Sequence, residues 1–122
     1  MSRGDIRAKQ AGSAAVIYPG PYLNQLRGED IENRCRELLG RGLRYIVINF
    51  EETELINSIG ISILLGVIEA VQEAHGMLVL SNLSASNREL FEMLGLLAHV
   101  QIEETEESAL RMIGERAELA LR

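Results

Sequence analysis

The 122-residue sequence contains one cysteine, no tryptophan and only two prolines. A single thiol, Cys35, cannot form a disulfide or a thiolate metal cluster within the chain, so a disulfide framework is excluded and a reducing cytoplasm fits best. Basic residues are the minority, with 12 Lys and Arg against 18 Asp and Glu and a net charge of −6. This balance argues against nucleic acid and anionic membrane surfaces as partners, since both attract clustered positive charge.

Long hydrophobic runs are also missing. The longest apolar run, residues 59–68, is interrupted by Ser62 and is shorter than the roughly 20 residues of a membrane-spanning helix. No apolar segment follows residues 1–5, so we predict neither a secretion signal nor membrane insertion. A chain of this length can bury one core, which predicts a single domain over residues 1–122, with residues 1–4 flexible.

Two short strands and a helix are predicted in the first third of the chain. Residues 6–10 and 14–18 flank a glycine-containing turn, which is typical of a hairpin. The segment 19–21, Pro-Gly-Pro, ends regular pairing because proline lacks the N–H donor that a ladder needs. From about Gly28, apolar residues recur at helical spacing until two glycines end the pattern. This predicts an amphipathic helix with Cys35 on its buried stripe.

A strand, a helix and a strand follow over residues 45–80. Residues 45–50 are continuously apolar or β-branched up to an asparagine, which is typical of a central strand covered on both faces and parallel to its neighbours. Residues 59–74 predict a helix that Gly76 is placed to cap, and residues 77–80 predict another buried strand. The three elements form a βαβ unit.

The last third of the chain again shows the pattern of a helix followed by a strand. Residues 86–89 predict a capping box that opens a helix through Leu94, with Gly95 ending it and residues 100–102 forming a short strand. Residues 105–107, Thr-Glu-Glu, open a C-terminal helix with carboxylates in its positive first turn. The predicted fold is therefore α/β, with a sheet that is antiparallel at a hairpin edge, parallel beyond it, and covered by helices.

A narrow polar strip lies on the helix that begins near residue 58. Helical spacing places on one face Ser58, Ser62, Gly66, Glu69 and Glu73. Its first half has small residues, so another backbone or a flat surface can approach closely. Gly66 costs about 1 kcal/mol of helix propensity relative to alanine. This cost suggests a use for the missing side chain, either in docking or in packing under a neighbouring loop.

Two roles remain open for Ser58. As an N-cap, its oxygen would accept a backbone N–H and contribute about 1 kcal/mol, although Asn57 can do the same. As a phosphorylation site, it would carry a charge of about −1.5 to −2 that the helix dipole tolerates but a docked surface does not. Glu51, Glu52 and Glu54 would either add to that repulsion or form only a solvated turn.

Neither a catalytic site nor a cofactor or metal site is predicted. His75 and His99 lie at the ends of elements, where histidines act as caps or exposed residues, and Cys35 is placed as a small buried hydrophobe. The sequence has no Ser-His-Asp set, no metal-ligand spacing and no phosphate-binding glycine loop. We therefore predict that the chain is not an enzyme.

Five segments in a defined order carry a family resemblance over nearly the whole chain. They are Gly20-Pro21-Tyr22-Leu23-Asn24, Ile46-Val47-Ile48-Asn49-Phe50, Asn57-Ser58-Ile59-Gly60-Ile61, residues 86–96 and residues 106–110. Together they resemble the STAS domain, best known in bacterial anti-sigma-factor antagonists. The resemblance implies a four- or five-stranded mixed sheet with four helices and a non-catalytic role in partner switching. In such systems the unphosphorylated antagonist binds an anti-sigma factor that is also a GHKL-type serine kinase, and phosphorylation ends the binding.

This chain departs from the family at the regulatory motif. The common motif is similar to Asp-Ser-Ser-Gly or Asp-Ser-Thr-Gly, in which the hydroxyl before glycine is the phosphoacceptor. Here Asn57 stands in the aspartate position and Ile59 in the acceptor position. Ser58 matches the first hydroxyl, the acceptor in the branch of the family found in stress-signalling scaffold complexes. We expect any phosphorylation at Ser58 and predict that the partner-binding residues are Asn57, Ser58, Ile59, Gly60, Ser62, Gly66, Leu23 and Asn24.

Other functions stay open beside partner switching. The chain is alternatively an unphosphorylated STAS scaffold in a stress-signalling complex, an accessory subunit of a lipid-transport ATPase, or a domain that senses a small ligand. A homodimer is also compatible with the sequence.

Overall fold

A computed structural model describes residues 6–121 of the chain, so the prediction of flexibility for residues 1–4 lies outside the described range. Among the described residues, the main sheet has five strands: β1 (Arg7–Ala11), β2 (Ala14–Tyr18), β4 (Tyr45–Asn49), β6 (Met77–Ser81) and β7 (Gln101–Glu103). They lie in the order β1-β2-β4-β6-β7, where β1 pairs antiparallel with β2 and the remaining pairs are parallel. The predicted mixed sheet with an antiparallel hairpin edge is confirmed.

In the part of the chain that the structure describes, four α-helices cover the sheet, and a short 3-10 helix (Leu96–His99) precedes β7. The α-helices are α1 (Gln25–Gly40), α2 (Ser58–Glu73), α3 (Ala85–Met93) and α4 (Glu106–Ala120). Helices α1, α2 and α3 bury their apolar residues in one core, whereas α4 packs Ala109 and Ile113 into a second core on the opposite face. None of the helices within residues 6–121 is long and apolar enough to cross a membrane.

The central strand β4 contributes to both cores, which explains its unbroken apolar sequence. Successive side chains alternate between faces, so Ile46 and Ile48 pack towards α1 and α2 while Val47 packs towards α4. A ring contact between Phe50 and Phe91, with centroids 5.7 Å apart at 77°, joins the end of β4 to α3. The prediction of a doubly covered parallel strand is confirmed.

A second, two-stranded sheet was not predicted. Strand β3 (Tyr22–Leu23) pairs in parallel with β5 (Leu55–Ile56), and it lies directly before α1, while β5 lies directly before α2. Two-residue strands show no periodicity, so sequence patterns cannot reveal them. This small sheet connects the starts of the two helices.

The predicted starts of two helices are corrected. Helix α1 begins at Gln25, three residues before the prediction, because the Asn24 side-chain oxygen accepts the N–H of Arg27 at 3.1 Å and caps the helix. Helix α3 begins at Ala85, because Ser84 is its N-cap and accepts the N–H of Asn87 at 3.1 Å. The predicted capping box at residues 86–89 is therefore wrong.

The predicted cap at Gly76 is also wrong. His75 adopts the left-handed conformation after α2, with φ of 58°, and it is exposed. Gly76 serves a close approach instead, since a Cβ there would lie 2.6 Å from the carbonyl oxygen of Arg44. By contrast, Gly95 has the left-handed φ of 72° expected of a residue that ends α3, and Thr105 caps α4 as predicted.

Candidate functional site

Asn57, rather than Ser58, caps helix α2. Its backbone is extended, and its side-chain oxygen accepts the N–H of Gly60 at 2.8 Å, while its side-chain nitrogen donates to the hydroxyl of Tyr22 at 3.3 Å. Ser58 is the first residue of the helix and is exposed. The capping role that the sequence left open for Ser58 belongs to Asn57, which leaves the serine hydroxyl available to solvent.

Two of the predicted partner-binding residues, Leu23 and Gly60, are buried. Leu23 is 1% exposed, and its carbonyl oxygen accepts the N–H of Asn57 at 3.1 Å. Gly60 is buried against the same peptide, since a Cβ there would lie 2.5 Å from the Leu23 carbonyl oxygen. Leu23 and Gly60 therefore seat the first turn of α2 on β3, and partner contact at these two residues stays a prediction. Asn24, which is half-buried, caps α1.

Gly66 is used in packing between α1 and α2. A Cβ at Gly66 would lie 3.1 Å from the Glu32 Oε2 atom of α1, and Arg36 pairs with that same oxygen at 3.3 Å. The sequence had left docking and packing under a loop open for Gly66, and the neighbour in the structure is a helix side chain. Ser62, one turn after Ser58, is exposed, as expected for a residue of the polar strip.

Four large apolar side chains surround the start of α2 at the surface. Tyr22, Leu26, Leu55 and Ile59 are between 44% and 65% exposed. Tyr22, Leu26 and Ile59 line an open groove together with polar side chains, and Leu55 is the register partner of Tyr22 in the small sheet. We call these four residues the docking patch. Only Ile59 was among the predicted partner-binding residues. The other three lie in segments that the sequence assigned to a loop or placed outside the predicted helix.

The loop between β4 and β5 is held by buried polar side chains. The Asn49 side-chain oxygen accepts the N–H of Glu51 at 2.8 Å. The Thr53 hydroxyl donates to the Gly20 carbonyl at 2.8 Å, and the Asn87 amide donates to the Thr53 carbonyl at 3.1 Å. Each of these buried side chains forms a hydrogen bond with a backbone group, and breaking such a bond would leave a buried polar group unpaired. The bonds therefore hold the loop that leads to Ser58 in place.

Glu106 joins α4 to three strands of the sheet. Its carboxylate accepts hydrogen bonds from the Tyr18 hydroxyl at 2.6 Å and the Asn49 amide at 2.9 Å, and lies 2.7 Å from the ammonium of Lys9, the only lysine in the chain. Burial alone would raise the pKa of the Glu106 carboxyl, but the hydrogen bonds from Lys9, Tyr18 and Asn49 outweigh it and hold the pKa below its ordinary value. The sequence identified Glu106 only as a helix-start residue.

The remaining candidates for chemistry are one buried thiol and two exposed imidazoles. Cys35 is fully buried, and that burial raises the pKa of its thiol to about 12, as expected of a small core residue. His75 and His99 are exposed at element ends. Within the described residues 6–121, no group of three or more His, Cys, Asp or Glu side chains is placed to hold a metal ion.

These features define a small α/β domain whose candidate site is a surface: an exposed serine at a helix start, with exposed apolar side chains nearby. Comparison with known proteins agrees with this class. Residues 5–109 match the STAS domain, and the chain belongs to this family.

Individual relatives resemble the chain in sequence or in fold. The chain is 28% identical over 87 residues to BtrV of Bordetella bronchiseptica, whose name describes it as an anti-sigma factor antagonist, and the match covers 71% of this chain and 75% of BtrV. The solved structure of the unphosphorylated anti-sigma factor antagonist SpoIIAA is 22% identical, with a TM-score of 0.73 over 88% of this chain and 96% of that one. RsbS of Moorella thermoacetica, carrying a serine-to-glutamate substitution, is 13% identical, with a TM-score of 0.81 over 93% and 98%.

Proposed function

We propose that this STAS domain is a cytoplasmic, non-catalytic binding module that acts by partner switching. Its partner is an anti-sigma factor that is also a GHKL-type serine kinase, and the contact region is the start of α2. The observation that carries this proposal is the position of Ser58, which is exposed at the first turn while Asn57 supplies the cap. A kinase can therefore reach the hydroxyl without first breaking a hydrogen bond that holds the helix.

The position of Ser58 also provides a physical means of ending the interaction. A phosphate on Ser58 would add a charge of about −1.5 to −2 beside the backbone amides of a helix start, where the fold tolerates negative charge. The same phosphate would lie next to Ile59 and Tyr22 of the docking patch, so any apolar surface covering them would have to desolvate it. Phosphorylation therefore weakens binding much more than it weakens the fold.

An affinity purification from native lysate in the presence of ATP tests this function. Mass spectrometry of the captured proteins identifies the partner, and mass spectrometry of the domain shows whether Ser58 is phosphorylated. With the purified partner, we expect Ser58→Glu to reduce affinity about tenfold or more, equivalent to about 1.4 kcal/mol. Ser62→Glu, an exposed position one turn further along α2, is the matched control and is expected to have a smaller effect.

A constitutive binding role is the second candidate, and it is favoured by Ile59. This residue occupies the usual acceptor position and is 47% exposed, which suits permanent contact with an apolar surface. Unchanged affinity of the Ser58→Glu variant would remove the switch and leave this role. Co-purification with a membrane ATPase, and with no kinase, would support an accessory subunit, whereas a melting temperature raised by nucleotides would support ligand sensing.

A further inference from the structure

We infer that the docking patch receives a partner surface with an apolar centre and a basic rim, and not a second copy of this chain. The inference rests on the proposed function in one respect: it takes the start of α2 as the contact region. It adds the chemistry that the partner must present.

The apolar centre follows from how the patch is assembled. Tyr22 and Leu55 lie side by side in the small sheet, Leu26 lies in the first turn of α1, and Ile59 lies in the first turn of α2. Single exposed apolar side chains are common on protein surfaces, but a contiguous group at a groove marks an interaction site. The groove is lined by Tyr22, Leu26 and Ile59 beside Asn24, Gln25 and Asn57.

The basic rim follows from the charges that border the patch. Glu29 lines the groove, and Glu54 is exposed immediately before Leu55. Arg and Lys are absent from the groove lining among residues 6–121. Two copies of the chain would bring these carboxylates together, in a molecule whose net charge is already −6. Charge complementarity therefore selects arginine or lysine around an apolar centre.

Hydrogen bonds position Tyr22 and the loop before Leu55 ahead of binding, which favours a specific partner. Tyr22 is held by the Asn57 amide, and the loop carrying Glu54 is held through Thr53 by Gly20 and Asn87. Side chains that are already positioned lose less conformational entropy on association. The surface thus selects a fixed arrangement of apolar and basic groups.

Site-specific photo-crosslinking tests the inference. Leu26 and Leu55 are each replaced by benzoylphenylalanine, and the full-length protein is irradiated in native lysate. Leu94 and Leu119 serve as matched controls, since Leu26 and Leu94 are 50% and 51% exposed and Leu55 and Leu119 are 65% and 62% exposed. We expect both patch positions to crosslink to one protein, through a peptide with apolar residues flanked by Arg or Lys. The yield should be about fivefold higher than at the control positions.

Four outcomes would overturn the inference: a crosslink to a second copy of the chain, a crosslink to an acidic segment, equal yields at the controls, or no crosslink at all. Charge is tested separately with Glu54→Arg, using Glu89→Arg on the exposed face of α3 as control. We expect only Glu54→Arg to lower the yield, by about threefold at low salt, and the difference to shrink at about 1 M salt, where the Debye length is about 3 Å. An equal loss of crosslinking yield in both variants, or no loss in either, would contradict the prediction that the partner has a basic rim.

The same experiment separates this inference from the proposed function. If the crosslinked protein meets the chemical criteria but has no kinase domain, the partner-switching proposal fails and the docking inference stands. If Ser58 is phosphorylated by a kinase whose crosslinks do not involve Leu26 or Leu55, the docking inference fails and the switch stands.

Discussion

Adding one methyl group at Gly60 tests how closely helix α2 is seated on β3. In a helix interior, alanine is favoured over glycine by about 1 kcal/mol, so propensity alone predicts stabilisation. At Gly60, however, the new Cβ would lie 2.5 Å from the carbonyl oxygen of Leu23 and 3.1 Å from its Cγ atom. That oxygen also accepts the N–H of Asn57, so it cannot move away without loss of a hydrogen bond.

The magnitude follows from comparison with a second glycine in the same helix. Overpacking against a backbone atom costs up to about 3 kcal/mol, which leaves a net destabilisation of about 2 kcal/mol for Gly60→Ala after the gain in propensity. At Gly66 the Cβ would meet only Glu32 Oε2, at 3.1 Å, and this carboxylate ends a flexible side chain. Gly66→Ala is therefore expected to be neutral or to stabilise by about 1 kcal/mol.

Urea unfolding followed by circular dichroism measures both variants against the parent protein. The expected order of midpoints is Gly66→Ala at or above the parent and Gly60→Ala clearly below it, with unchanged denaturant dependence. A difference of about 2 kcal/mol corresponds to a separation in melting temperature of about 8 °C for a domain of this size. If Gly60→Ala were as stable as Gly66→Ala, the close contact with Leu23 would be refuted.

Three further predictions follow from the polar contacts and the core. Glu106→Gln should destabilise the protein by about 1–3 kcal/mol at pH 7 and Glu107→Gln by much less. The pKa of Glu106 is lower in the folded protein than in the unfolded chain. The carboxylate therefore stabilises the fold fully above the unfolded pKa of about 4.3, and this stabilisation is lost as pH falls through the folded pKa. The unfolding curves of the parent and of Glu106→Gln should thus converge in acid. Cys35 should resist a thiol reagent in the native protein and react fully in urea; rapid native labelling would contradict its burial. Asn57→Ala should lose about 1 kcal/mol of stability in thermal unfolding, whereas Asn57→Asp should keep the cap and lose none.

The elements that the sequence predicted well are those whose apolar pattern is long enough to determine both type and environment. Residues 45–50 and 77–80 are continuously apolar because their strands are covered on both faces, and the structure confirms them as parallel neighbours. Helix α2 has enough turns for its stripe to be unambiguous. Helix α1 was predicted to start late because Gln25 and Leu26 do not continue its buried stripe.

The candidate site was predicted only in part because it depends on contacts between distant segments. Sequence spacing places Ser58 near a helix start, but whether Asn57 or Ser58 supplies the cap depends on backbone geometry. The burial of Gly60 depends on Leu23, which lies far away in sequence and belongs to a strand too short to show a pattern. The Glu106 cluster likewise brings together Lys9, Tyr18 and Asn49 from three strands, and no local signal marks them.

The small sheet makes the surface around Ser58 a conformational epitope. Tyr22 and Leu55 are adjacent only because β3 and β5 pair, and Leu26 joins them only when α1 has formed. A synthetic peptide spanning Ser58 would contain Leu55 and Ile59 but neither Tyr22 nor Leu26, so it should be a poor mimic of the whole domain. A partner that binds this surface therefore recognises only folded chains, because nascent or misfolded chains do not display it.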